Sequence, residues 1–202
     1  FDSNSAAFTP FNLGHLKIEN RIVMSAMGQY KAENGLINDW HFQHYTSRAL
    51  GGLGLVFTEM TAISDEGRIT QGCPGIYTNE QTSAWKRIND FIHQHTKTKT
   101  AIQLGHAGRK SQISKNLISA SPLAFSKNSS TPSEMNREQM NQIRNEFVKA
   151  TQNAEKANFD MIELQAHHGF LLATFLSPLT NTRTDEFGGT IENRFRFPLD
   201  GL

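Results

Sequence analysis

A single cysteine, Cys73, among 202 residues leaves no partner for an internal disulfide and fits a reducing compartment. No apolar run approaches the roughly 20 residues a membrane-spanning helix needs, and no basic-then-apolar leader precedes Phe8. Charge of neither sign is in excess: 20 Lys and Arg against 19 Asp and Glu leave a net charge of +1. Nucleic acid and membrane are therefore not expected as partners, because neither a phosphate-tracking stripe nor a lipid-facing basic surface is present. The first strand-to-helix turn reads Gly28-Gln29-Tyr30 and lacks the G-x-G-x-x-G of a dinucleotide fold. There is no serine in a nucleophile elbow. Carboxylates do not pair either: Glu59 stands alone beside Thr58, and Glu163 reads as alternating away from its polar neighbours. These absences leave a cytoplasmic enzyme that does not hydrolyse by a carboxylate pair. The chain begins at Phe1 without Met and reaches Leu202 in helical pattern, which reads as a piece of a longer protein.

What is present is a repeated alternation of short buried runs and amphipathic helices. Residues 1–7 are small, polar and read as loose. Phe11-Asn12-Leu13 and Leu16-Lys17-Ile18 flank Gly14-His15 as a β-hairpin. A strand is predicted over 20–27, then a helix capped by Asn38 or Asp39 with Phe42, Tyr45, Ala49 and Leu50 on one face. Residues 54–60 form the next strand, and Thr78 with Gln81 spells a capping box for a helix bearing Trp85, Ile88 and Ile92. A third strand at 100–104 precedes a Ser- and Asn-rich loop of a length that usually marks a lid or disorder. A helix with Met140, Ile143, Phe147, Ala150 and Ala154 inward leads to a fourth strand at Phe159, and another helix starts near Ile191. Four such units require a parallel sheet. A complete (β/α)8 barrel needs about 250 residues, so the fold class is α/β, the N-terminal half of a TIM barrel with an N-terminal hairpin plugging its bottom. A doubly wound sheet is the alternative.

In such barrels chemistry sits at the C-terminal strand ends. Those ends carry Ser25, Ala26, Met27, Gly28 and Tyr30, then Thr58, Glu59 and Met60, then Gln103, His106 and Arg109, then Gln165, His167 and His168. Amides, imidazoles, hydroxyls and thioethers suit a large planar cofactor and a hydrogen-bonded carbonyl. Gln103 reads equally as a barrel-filling polar group or a cofactor ligand, and Met27 and Met60 alone read as core. His41 and His44 read as surface or packing residues, and His93 and His95 lack the strand-end setting of a metal pair. Adjacent His167 and His168 face opposite ways on an extended strand, so both reach one site only if the backbone bends. Cys73 reads as a bystander in a loop.

The segments FTPFNLGHLKIENRIVMSAM, HYTSRALGGLGLVFTEM, EGRIT, IQLGHAGRK and FDMIELQAHHGFLLATFLSPLTNTRTDEFGGTIENRFRF, in this order, resemble the old yellow enzyme family of FMN-dependent ene-reductases. The resemblance implies a TIM barrel over 8–202 that binds FMN, with NADH or NADPH as co-substrate and an activated alkene as acceptor. It places FMN against the backbone of Ser25, Ala26, Met27 and Gly28, with Met60 and the Gln103 amide in contact. It makes Tyr30 a substrate-facing phenol and puts Gln165 and His168 where two side chains hydrogen-bond the substrate carbonyl. Four residues depart from the family's pattern: Gln165 stands for a histidine, His167 for a small residue, Phe170 for the tyrosine that protonates the substrate, and Gly28 for a Cys or Thr beside the flavin. The family's phosphate grip comes from strands five to eight, which this chain does not contain. DWHFQHYTSRALGGLGLVFTEM, EGRITQGCPGIYTNEQTSAWKRINDF and LISASPL are similar to the reductase half of bifunctional salicyloyl- or aminobenzoyl-CoA monooxygenases. That narrower likeness implies a CoA thioester substrate and a fused N-terminal flavin monooxygenase, and the family implies a homo-oligomer.

Overall fold

The computed structural model describes residues 5–200. The expected loose segment at 1–7 lies mostly outside them; Ala6–Phe8 form one 3-10 turn. Strands β1 (Phe11–Leu13) and β2 (Leu16–Ile18) make the antiparallel hairpin. Then follow β3 (Val23–Met24), α1 (Asp39–Leu50), β4 (Leu55–Ala62), α2 (Asn79–His95) and β5 (Lys99–Gly105). The rest comprises β6 (Ile118–Ser119), β7 (Ser133–Glu134), α3 (Arg137–Lys156), β8 (Met161–Leu164), α4 (Leu171–Leu176) and α5 (Ile191–Leu199). The main sheet is parallel in the order β3-β4-β5-β8.

Three helices start where local chemistry dictates. Asn38, Thr78 and Asn136 each accept a backbone N–H of the first turn, and His41, Gln81 and Gln139 return the bond to complete capping boxes. The helices cover one face of the sheet. Val56, Ile102 and Leu104 point into a core with Trp85, Ile88, Ile92 and Phe147, while Leu55, Phe57 and Ala101 point the other way and meet Ile18 of the hairpin. A doubly wound sheet carries helices on both faces; here, among the described residues, the second face holds the hairpin plug and a cleft, as in a barrel cut along its axis.

Two expectations change. The strand predicted over 20–27 pairs only at Val23 and Met24, because the chain leaves the sheet at Ser25 to wall the cleft. The long loop of 105–136 is ordered: a 3-10 turn at Gly108–Lys110 and the β6–β7 pair occupy it. Arg183 fastens that pair from the later loop, donating to the Ala120 and Met135 carbonyls at 3.1 and 2.8 Å.

At the sheet's lower end His93, from α2, lies 2.7 Å from Asp160, which also accepts Lys99 Nζ at 2.8 Å and Thr100 N–H at 2.9 Å. Burial alone would raise the Asp160 pKa; the hydrogen bonds from His93, Lys99 and Thr100 outweigh it and hold the group at about 2. A depressed carboxyl contributes stability that is present above its unfolded value of about 4 and lost as pH falls through about 2. Asp160→Asn should cost roughly 2 kcal/mol at neutral pH and flatten the loss of stability between pH 4 and 2. Urea titrations across that window check it; an unchanged acid limb would refute the assignment.

Candidate active site

A cleft of about 530 Å³ opens at the C-terminal ends of the four parallel strands. Ser25, Ala26, Gly28 and Tyr30 form one wall; Phe57, Glu59, Met60 and Gln103 form the floor; Gln165, His167, His168 and Phe170 form the other wall. Of the residues that the resemblance assigns to the cofactor or the substrate, all but one line this cleft. The exception is Met27, whose side chain lies outside it and is 46 % exposed.

The floor depends on a bulge. Phe57 pairs with Ala101 and Met60 with Gln103, so Thr58 and Glu59 together oppose the single residue Ile102. The extra residue rephases the strand and brings Phe57, Glu59 and Met60 to the same cleft. Thr58 stabilises the irregularity, accepting Gln103 N–H at 3.2 Å and donating to the Glu59 carbonyl at 3.0 Å.

Glu163 corrects the sequence reading. Residues 163 and 165 differ by one full strand period, so Glu163 shares the inner face with Gln165 instead of alternating away. It sits opposite Gln103 in the β5–β8 register and accepts the Gln103 Nε2–H. Among the described residues the Gln103 Oε1 has no protein donor, so the amide offers an acceptor to the cleft. Cys73, read as a bystander, is buried and lines the same cleft. Its approach follows from the loop after β4 folding back, which strand-end reasoning does not see.

Both histidines reach the cleft because the backbone bends. His168 has a φ of 58° and Gly169 of 71°, which turns the chain sharply and leaves the two imidazoles edge-to-face at 4.1 Å. Lys110 holds the turn: its Nζ donates to the His168 carbonyl at 2.9 Å and rests over the Phe170 and Phe125 rings. Burial, then the neighbouring Arg109, lower the Lys110 pKa. The buried Gln165 accepts His167 N–H through Oε1 at 2.9 Å, which leaves Nε2 as its donor end. Across the cleft Tyr30 has a φ of 55°, and its ring fills the space a Cβ on Gly28 would need, 3.0 Å away.

His106 and Arg109 end elsewhere. The left-handed Gly108 turns the chain away from the cleft after β5. His106 is buried, its Nδ1 accepts Gly108 N–H at 3.0 Å, and desolvation lowers its pKa to about 4. It borders a separate cleft of about 680 Å³ with Asp65, Glu66 and Glu146, larger but without the strand-end amides. Arg109 donates to the Leu123 carbonyl at 2.9 Å and so anchors the long loop.

The 530 Å³ cleft fits a flat heteroaromatic group. Met60, Ala26 and Phe57 offer apolar surface for its face, and the free Gln103 oxygen offers an acceptor for a ring N–H at its edge. Among the described residues no Lys or Arg lines the cleft, so the counter-charge for a phosphate tail is not supplied there.

Comparisons with known proteins agree with this geometry. The chain is 42 % identical over 196 residues to an NADPH dehydrogenase of Bacillus cytotoxicus, covering 96 % of this chain and 56 % of that protein. It is 41 % identical over 192 residues to the NADPH dehydrogenase of Bacillus subtilis, covering 94 % of this chain and 56 % of the relative. The chain thus spans about half the length of these curated relatives. The structure superposes on morphinone reductase with a TM-score of 0.91 at 30 % identity, covering 97 % of this chain and 57 % of that one. On the Old Yellow Enzyme from Pichia sp. AKU4542 the TM-score is 0.92 at 30 % identity, over 98 % of this chain and 55 % of the other. The four-stranded sheet is therefore the N-terminal half of a TIM barrel. With residues 6–202 matching its pattern, the chain belongs to the NADH:flavin oxidoreductase / NADH oxidase family, that of the old yellow enzymes.

Proposed function

We propose that this chain forms the strand-one-to-four part of an FMN-dependent NAD(P)H oxidoreductase that reduces activated alkenes. The observation that carries the reading is the convergence of Tyr30, Met60, Gln103, Gln165 and His168 on one cleft. When bound, FMN supplies the hydride, taken from NADH or NADPH and delivered to the β-carbon of an alkene conjugated to a carbonyl. Ser25, Ala26, Gly28 and Met60 would seat its ring, and Gln103 its polar edge. Gln165 Nε2, which lies 3.3 Å from His167 Nδ1 and keeps a second N–H, and the His168 ring offer hydrogen-bond donors on the opposite wall of the cleft. Donors placed there polarise a substrate carbonyl and stabilise the enolate charge that grows as hydride arrives. By the family resemblance Phe170 stands for the residue that protonates the α-carbon, and it has no proton to give, so Tyr30, His168 or water must serve.

Titrating the chain with FMN while following flavin fluorescence tests the cofactor; no quenching at saturating concentration would count against it. In the flavin-loaded enzyme, His168→Ala should lower kcat/KM for an enone by about 10²–10³-fold. Its rate of flavin reduction by NAD(P)H should not change. Equal enone turnover in wild type and variant would remove His168 from the carbonyl site.

The narrower sequence likeness supports an aromatic-CoA-derived dienone as the alkene, in a cytoplasmic protein with a flavin monooxygenase fused ahead of Phe1. The upstream reading frame decides the fusion: a start codon within a few residues of Phe1 would end it. Phe170 favours a second reading, a flavin-fold module that takes hydride from NAD(P)H yet turns alkenes over slowly.

A further inference from the structure

The bulge in β4 places a carboxylate where water does not reach it. Glu59 is 1 % exposed, and a buried charge persists only if donors replace its hydration. Three donors do so. Gln29 N–H reaches Oε2 at 2.8 Å, and the Tyr45 hydroxyl lies 3.4 Å from Oε1. His41 Nε2 approaches Oε1 at 3.3 Å, off the ideal line of its N–H.

Two of these donors are fixed from behind. Tyr45 oxygen accepts the Glu59 N–H at 2.9 Å, which turns the phenolic proton toward the carboxylate. Burial, then the charge of Glu59, raise the Tyr45 pKa well above its ordinary value, so the proton stays. His41 Nδ1 accepts Asn38 N–H at 3.2 Å within the capping box of α1, which leaves the imidazole proton on Nε2, facing Glu59.

The third donor belongs to the cleft wall. Gln29 sits between Gly28, against whose Cα the Tyr30 ring lies, and Tyr30, whose backbone is left-handed. Without a tether, a non-glycine residue at positive φ relaxes toward commoner conformations. We propose that Glu59 is a positioning residue: through Gln29 N–H it holds residues 28–30 in the shape that aims Tyr30 into the cleft, with Asn38, His41 and Tyr45 holding the carboxylate in turn. Identifying what the cleft holds rests on the flavin reading above; the tether itself does not.

Amide hydrogen exchange on the chain without added ligand tests the tether. Glu59→Ala should speed exchange at Gln29 and Tyr30 by about tenfold or more while β5 amides keep their protection. Glu59→Gln should restore exchange to within about threefold, because its Oε1 still accepts Gln29 N–H. His41 can accommodate the new amide by moving its proton to Nδ1, which lies 3.0 Å from Asn38 Oδ1, and the Tyr45 hydroxyl, 3.4 Å away, by turning its proton aside. Glu59→Asp keeps the buried charge but withdraws it by one methylene, so it should behave like alanine at Gln29 even if the alanine variant does not fold. FMN affinity should follow the same order, about tenfold weaker for Asp and Ala and restored for Gln. Unchanged Gln29 exchange in Glu59→Asp would overturn the proposal. So would a glutamine variant that loses protection throughout β4 and β5, since the carboxylate would then serve folding alone. If wild type binds no FMN, the flavin reading fails while the exchange results still decide the tether.

Discussion

Phe170→Tyr should raise the rate of alkene reduction in the flavin-loaded enzyme by about 10²–10⁴-fold, the range general acid catalysis supplies. The ring of Phe170 is 8 % exposed and lines the cleft, so a para hydroxyl would be delivered beside the carbonyl donors without moving the backbone. Lys110 Nζ lies 4.9 Å from that ring's centroid. A cation so placed lowers the pKa of a phenol and makes it a better acid near neutral pH. Stopped-flow measurement separates the half-reactions: reduction by NAD(P)H should be unchanged, and reoxidation by an enone should accelerate. An unaltered oxidative rate would mean that Tyr30, His168 or water already delivers the proton without limiting turnover.

Trp85→Ala should destabilise the fold by about 3–5 kcal/mol. Trp85 is fully buried between the sheet and α1, tilted against Tyr45 and Phe159 at 5.8 and 5.9 Å. Its indole N–H donates to the Gly75 carbonyl at 3.2 Å, so the substitution leaves both a large cavity and an unpaired acceptor. For a chain of this size the melting temperature should fall by roughly 6–20 °C. Urea unfolding gives the free energy directly, and a loss under about 1 kcal/mol would show that the core repacks around the gap.

Features set by neighbouring residues were legible in the sequence, and features set by distant ones were not. Thr78 with Gln81 announces its helix because the capping bonds span three residues. The order of strands follows from the βα alternation, since a parallel crossover must place a helix on the sheet. The bulge at Thr58 and Glu59 left no trace in hydropathy, because β4 is buried on both faces and either phase looks equally apolar. His41 read as either a surface or a packing residue, and the sequence could not choose because what it packs beside, Glu59, lies on another element. Glu163 was misplaced by counting alone. Gln165, His168 and Tyr30 were found because they cluster at strand ends, where a barrel gathers polar groups regardless of loop detail.

The Gln103–Glu163 bond also removes an ambiguity inside the cleft. A glutamine can turn either end of its amide outward, and the carboxylate facing it across the β5–β8 register takes that choice away. A ligand therefore meets an oxygen at this point, which selects a ring edge bearing N–H over one bearing a bare nitrogen.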